Sequence, residues 1–213
     1  GWMHGSMSHG VGFFVAVVLL LQLERTAGSG SARHMLGLGL LGGLLFVTRY
    51  QDAVWVAAVG GVAIWNFAGE RHLRVQLRAI TWFGVGAAMI LVPQVAIWNH
   101  LYGSWLSGPT PHMDGLQWVP RHLLDVFFSE RGGFLAWHPI LLLGLAGLVA
   151  CRNVSSKPIW TAAILGISLQ IYLISSWSGW WGGASFGNRF FISSYPWLAL
   201  GLAATVQSIG RRW

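Results

Sequence analysis

The sequence predicts an all-α membrane protein: a polytopic bundle of about seven transmembrane helices, with an outer loop that contains a short amphipathic helix. Of its 213 residues, 54% are hydrophobic and only 9% are charged, whereas a soluble domain has about 25% charged residues. Apolar runs recur along the whole chain, and most approach the length of about 20 residues that crosses a bilayer. Basic residues cluster in alternate connections between the runs. We therefore expect residues 1–213 to form a single transmembrane bundle.

The apolar runs define the expected spans. They cover residues 10–23, 35–48, 53–68, 79–98, 134–150, 158–176 and 190–209. The first two are short for a membrane crossing, so they need flanking residues, with arginines snorkelling outward. Only RYQD, 49–52, separates the second run from the third, so 35–68 is either two spans or one broken helix. Pro93, Pro139 and Pro196 lie inside or near span ends, where membrane helices tolerate kinks.

The distribution of charge predicts the orientation. With the amino end outside, the cytoplasmic connections are 24–34, 69–78, 151–157 and 210–213. They hold nine of the 13 Lys and Arg residues and two acids, a net charge of +7, whereas four arginines and four acids leave the outer side neutral. This asymmetry predicts an outer amino end and a cytoplasmic carboxyl end. Tryptophans near the span ends predict an aromatic belt; they are Trp55, Trp65, Trp82, Trp98, Trp137 and Trp160.

Two outer loops carry most of the functional information. The first, 99–133, is longer than an ordinary connection, and its stretch HLLDVFFS, 122–129, predicts a short amphipathic helix in the membrane interface. The second, SSWSGWWGGASFGNRF, 176–191, combines three tryptophans and four glycines with one cation, Arg189. Arg189 is either an interfacial anchor or a ligand that grips a phosphate with two hydrogen bonds. Because both loops lie on the same side, we expect them to meet.

The outer acids and histidines are the candidates for catalytic or metal-binding groups. Each acid is either a general base for an acceptor hydroxyl or the ion-pair partner of a neighbouring arginine. The four acids are Asp52, Asp114, Asp125 and Glu130. We favour ion pairs, for instance with Arg121 or Arg131. The outer histidines are His100, His112, His122 and His138. They lack the spacing of metal ligands, so the sequence predicts no metal site.

Four other features are explained without a ligand. Gly37-x-Gly39-x-x-Gly42 matches a dinucleotide-binding pattern only formally, because it lies in an apolar run; it predicts close helix packing. The single cysteine, Cys151, excludes an internal disulfide. Asn153 opens a glycosylation pattern, but on the predicted inner side. A pI near 10.8 does not indicate nucleic-acid binding, because the basic residues are spread over short loops.

Four segments carry a resemblance to a known family. They are MSHGVGFFVAVVLLLQL at 7–23, GLLFVTRYQDAVW at 43–55, WNHLYGSWLSGPT at 98–110 with SERGGFLAWHPILLLGLAGL at 129–148, and WSGWWGGASFGNRFFISSYPWLAL at 177–200. In order and spacing the chain resembles the bacterial multi-spanning glycosyltransferases of the GT-C superfamily. The branch it resembles is the one related to protein O-mannosyltransferases and lipid A aminoarabinose transferases.

This resemblance implies transfer of a sugar from a polyprenyl-phosphate donor to a lipid, glycan or protein acceptor on the outer face of the bacterial inner membrane. It implies phosphate-side roles for Arg189, Arg49 and His100, and sugar-side or acceptor-side roles for Trp180, Trp181 and Asn188. In the family the catalytic acid lies in a first outer loop, which no acid here matches, so the catalytic residue stays unknown. We expect the chain to be a fragment that lacks the amino-terminal spans and is inactive alone. No cofactor is carried over.

Two other function classes stay open from the sequence. One is a transporter or flippase subunit for lipid-linked sugars, and the other is a membrane assembly protein without catalysis. A transporter needs a polar path between helices, yet no charged residue lies inside an expected span. Gln22, Gln94 and Gln170 are the long polar side chains within the spans. The sequence therefore favours the transferase.

Overall fold

The computed structural model describes residues 7–29, 31–68, 73–105, 115–150, 156–183 and 187–210. Within these ranges the fold is helical, with one isolated β-bridge and no strand, so the all-α class is confirmed. The α-helices are α1 (Met7–Ser29), α2 (Ala32–Thr48), α3 (Ala53–Ala68), α4 (Leu73–Tyr102), α5 (Leu123–Phe128), α6 (Phe134–Trp137), α7 (Ile140–Ala150), α8 (Lys157–Ser175) and α9 (Tyr195–Gly210). A first 3₁₀ helix, Tyr50–Asp52, precedes α3, and a second, Arg189–Ser194, precedes α9.

Within the described ranges, three helices are long and apolar enough, by length and composition, to cross a membrane. They are Ser8–Thr26 within α1, Leu73–Tyr102 and Lys157–Ser175. Helices α2 and α7 are apolar but shorter. Every apolar run of the sequence contains a helix, so the chain has the helical content expected of a membrane protein.

Two expected spans are not continuous α-helices. The run 134–150 is two helices, because His138 and Pro139 separate α6 from α7. Proline has no N–H to donate and disfavours a helical conformation in the residue before it. The run 190–209 starts as the second 3₁₀ helix and is α-helical only from Tyr195. The second and third runs form separate helices, α2 and α3, with the first 3₁₀ helix between them.

Glycines bring α2 and α4 into close contact along the most extensive helix–helix interface of the described fold. A β-carbon on Gly39 would overlap the carbonyl oxygen of Phe83, and one on Gly86 would overlap the carbonyl oxygen of Leu36. Such approach of two backbones is the usual role of small residues in membrane helices. The packing interpretation of the α2 glycine pattern is confirmed.

Two stacked tryptophans fill the core between α3 and α9. The rings of Trp55 and Trp197 are fully buried, with centroids 4.8 Å apart and planes inclined by 14°. Gly166 of α8 makes room for the Trp55 ring, which a β-carbon at that position would overlap. The aromatic-belt prediction is therefore wrong for Trp55 and for the buried Trp98, whereas Trp65 is 76% exposed. The position of a tryptophan at the end of an apolar run therefore does not show whether its ring is buried in the core or exposed in an aromatic belt.

The two predicted outer loops meet at one end of the bundle, as expected. The backbone N–H of Gln117 donates to the carbonyl of Ser176 at 2.7 Å, and that of His122 donates to the carbonyl of Ser175 at 3.0 Å. Helix α5 follows directly and packs against α8 and α6. The long loop is thus held against the segment that contains the Trp/Gly motif.

Candidate functional site

A buried polar cluster lies at this end of the bundle. We call it the polar cluster; it consists of His9, Arg49, Asp52, Arg189 and Ser193. His9 lies in the first turn of α1, Arg49 caps α2, and the last two belong to the second 3₁₀ helix. Arg49 is 5% exposed and Asp52 is fully buried. Charged residues are almost never this buried unless they are paired.

The guanidinium of Arg49 joins three segments of the chain. Its Nη2 donates to the carbonyl oxygen of Arg189 at 2.8 Å, and its Nε lies 3.9 Å from Oδ2 of Asp52. With its amide oxygen turned toward Arg49, Gln51 accepts from Nε at 3.2 Å and from Nη2 at 2.7 Å. Nη1 is buried and has no hydrogen-bond partner in the described part of the chain. One strong donor is therefore left over inside the site.

The carboxylate of Asp52 connects the cluster to the second 3₁₀ helix. Its Oδ2 accepts a 2.5 Å hydrogen bond from the hydroxyl of Ser193, and its Oδ1 is buried with no partner among the described residues. Burial raises the pKa of Asp52 to about 6, although the positive charge of Arg49 and the Ser193 hydroxyl act in the opposite direction. Loss of hydration on burial thus destabilises the ionised form of Asp52 in this site.

Arg189 and His9 complete the cationic side of the site. The Arg189 side chain is half-buried beside Gly182 and Gly183, which both have φ of +76°, a conformation that favours glycine. The His9 ring lies within electrostatic range of both guanidinium groups, and its Nδ1 is buried without a partner among the described residues. The structure therefore brings together the phosphate-side candidates Arg49 and Arg189, which are 140 residues apart in the chain.

The predicted sugar-side residues form the loop above the cluster. Trp180 is buried and stacks on His122, with ring centroids 5.8 Å apart. Trp181 is half-buried, and the guanidinium of Arg131 lies 4.3 Å from its ring centroid. Asn188 is buried; its amide donates to the carbonyl of Trp180 at 2.9 Å and its oxygen caps the second 3₁₀ helix. Asn188 thus shapes the loop, and Trp181 is the more accessible tryptophan of the pair.

The remaining candidates lie apart from the cluster or outside the described residues. His100 is exposed in the last turn of α4, and no described contact joins it to the cluster. Asp125 pairs with His122 at 3.1 Å, so the expected arginine partner is wrong there. Asp52 does pair with an arginine, as expected. Four residues of the sequence analysis lie outside the described ranges: His112, Asp114, Cys151 and Asn153.

Metal ligands are not grouped in the described part of the chain, and three residues in or beside the polar cluster were not expected from the sequence. The described residues contain no group of three or more His, Cys, Asp or Glu side chains placed to hold a metal. His9, Gln51 and Ser193 were not singled out by the sequence. Ser193 stands in an ordinary SSY segment, and no local pattern relates it to a carboxylate 141 residues earlier.

Comparison of the chain with models of protein families, with curated proteins and with solved structures finds no match.

Proposed function

We propose that this chain is part of a membrane glycosyltransferase that takes a sugar from a polyprenyl-phosphate donor. The observation that carries the proposal is the convergence of Arg49, Arg189 and His9 at the end of the bundle where the two loops meet. Guanidinium groups bind phosphate through paired, charge-assisted hydrogen bonds. Nη1 of Arg49 has no partner among the described residues, so it would be one donor to such a phosphate, and the Arg189 guanidinium would be the second.

The proposed membrane arrangement follows the charge pattern. Seven spans cross the bacterial inner membrane, with the amino end of this chain outside and the carboxyl end in the cytoplasm. The cluster then faces the outer leaflet, and α5 lies in the interface as an amphipathic helix. Its exposed apolar side chains support this location, since Leu124 is 73% and Phe128 is 63% exposed. A donor with an isoprenoid tail in the bilayer would bring its phosphate to this level.

The acceptor, a lipid, glycan or protein, would approach from the outer face. Trp181 offers an aromatic face to a sugar, and Arg131 is held above it. The role of His100 would be limited to guiding the donor, because it lies apart from the cluster. The catalytic base is assigned to no residue of this chain, and the proposal requires no cofactor.

The polar side chains within the helices support transfer over transport. Gln22 donates to the carbonyl of His34, and Gln170 donates to the carbonyl of Phe190. Both side chains hold neighbouring segments together, whereas a transport path would need polar groups aligned between the helices.

The proposal is tested by following donor consumption in bacterial membranes that carry the full-length protein. Polyprenyl-phosphate sugars labelled in the sugar are added, and loss of the donor is measured for wild type, Arg189→Ala and Arg121→Ala. Arg121 is an exposed arginine of the other loop, no described contact joins it to the cluster, and it serves as the matched control. We expect Arg189→Ala to lose activity at least tenfold and Arg121→Ala to retain it. Equal consumption by the two variants and wild type would refute the role of Arg189.

A further inference from the structure

We propose that Asp52 and Ser193 position the guanidinium of Arg49 so that its remaining nitrogen, Nη1, meets the donor phosphate. This inference rests on the proposed function and adds to it two residues that contact Arg49 or its partner without contacting the donor. Both are positioning residues, since they are fully buried and face Arg49 and each other.

The contacts around Arg49 leave its guanidinium little freedom. Nε lies 3.9 Å from Oδ2 of Asp52, and the carbonyl oxygen of Arg189 accepts from Nη2; with its amide oxygen turned toward Arg49, Gln51 accepts from both nitrogens. Helix α1 packs against the aliphatic part of Arg49 at Gly12, where a β-carbon would lie 3.0 Å from Cδ of Arg49 and 3.5 Å from Oγ of Ser193. A guanidinium fixed on two nitrogens presents the third in one direction, which is the arrangement that preorganised phosphate sites use.

Ser193 links this arrangement to the loop that carries Arg189. Its hydroxyl donates to Oδ2, the same carboxylate oxygen that faces Nε of Arg49. The second 3₁₀ helix therefore contacts the first 3₁₀ helix through Ser193 and Arg49 through the carbonyl of Arg189. Arg49 and Arg189 are thus connected through the same set of contacts. Displacement of the Asp52 carboxylate would therefore move both candidate phosphate ligands.

The energetics favour a positioning role over a purely stabilising one. Burial raises the pKa of Asp52 despite the opposing effects of Arg49 and Ser193. The ionised form of the carboxylate is therefore less stable in the protein than in water. Buried ion pairs are often no more stable than well-packed apolar residues of similar size. A charged pair at this position is better explained by the direction that it gives to Nη1 of Arg49 than by a contribution to the stability of the fold.

Binding of a charge-constant probe to the purified full chain in detergent tests the inference. The probe is methyl farnesyl phosphate, a diester with one negative charge across neutral pH, titrated calorimetrically. Ser193→Ala and Asp52→Glu conserve the net charge of the protein. A weaker affinity for the probe would therefore report displacement of Arg49 and not a change in the electrostatic field at the site. We expect each to weaken binding about tenfold, as for loss of one hydrogen bond to a charged group. Ser193→Thr keeps the hydroxyl and should restore binding to within about twofold.

Ser208→Ala is the matched control, because the hydroxyl of this α9 serine donates to the carbonyl of Thr205 and, in the described part of the chain, has no contact with the cluster. If Ser193→Ala does not fold, Asp52→Glu carries the test. Wild-type affinity in both variants, together with weak binding by Arg189→Ala, would overturn the positioning role and leave the proposed function standing. Absence of probe binding by wild type, or unchanged binding by Arg189→Ala, would instead overturn the proposed function and this inference with it.

Discussion

The contact between α2 and α4 makes a sharp prediction about two glycines of α4 that are two residues apart. A β-carbon on Gly86 would overlap the carbonyl oxygen of Leu36 and lie 2.9 Å from the amide nitrogen of Leu40 and 3.1 Å from Cα of Gly39. All three obstacles are backbone atoms that no rotamer change can move. A β-carbon on Gly84 meets nothing within 4 Å. Gly86→Ala must therefore separate two helices, whereas Gly84→Ala adds a methyl group in open space.

The expected magnitude follows from two opposing effects. Overpacking costs about 1–3 kcal/mol, and we take the upper end because only backbone atoms are involved. Alanine recovers about 1 kcal/mol of helix propensity over glycine. Gly86→Ala should thus lose about 2 kcal/mol, and Gly84→Ala should be neutral or gain up to about 1 kcal/mol. For a chain of this length the loss corresponds to a melting temperature lower by about 4–8 °C.

Thermal unfolding in detergent, followed by near-ultraviolet circular dichroism, measures this difference. The chain has 14 tryptophans, so the signal of packed aromatic rings is strong. Melting of Gly86→Ala at or above the temperature of Gly84→Ala would refute the proposed closeness of α2 and α4.

Three further predictions concern the core and the site. Because the pKa of Asp52 is raised from 3.8 to about 6, the protein binds an extra proton on folding between these values, so its stability should fall by about 2 kcal/mol as pH rises from 4 to 6, out of about 3 kcal/mol for the whole shift; Asp52→Asn should remove this slope in melts across that range, and an unchanged slope would contradict the assignment. Asn188→Ala should lose about 2 kcal/mol in urea unfolding, because it removes both the cap of the second 3₁₀ helix and the donor to the buried carbonyl of Trp180, and Asn188→Asp should not recover this loss, because it keeps the capping oxygen but turns an acceptor toward that carbonyl. Trp197→Ala should lose about 3–5 kcal/mol, since it leaves Trp55 without its stacking partner; a melting temperature within 2 °C of wild type would be inconsistent with the stacked core.

The sequence by itself determined the helical class, the places where helices form and the meeting of the two outer loops. These properties depend on local composition: apolar runs are helical in this setting, and alternate connections fall on the same side. It also pointed to Arg49 and Arg189, because a cation at the end of an apolar run is conspicuous. The glycine pattern of α2 was informative for the same reason, since only small residues let two backbones touch.

Tertiary structure alone decided which of these residues share a site. Burial of Asp52 with Ser193, the carbonyl of Arg189 on Arg49, and the stacking of Trp55 on Trp197 all join residues more than 130 positions apart. No local pattern encodes such pairs, because they depend on how helices pack. Packing also reassigned Trp55 from a membrane belt to the core and gave Asn188 a capping role. The sequence supplied the chemical groups, and the helix packing placed the Arg49 guanidinium between the Asp52 carboxylate and the backbone carbonyl of Arg189.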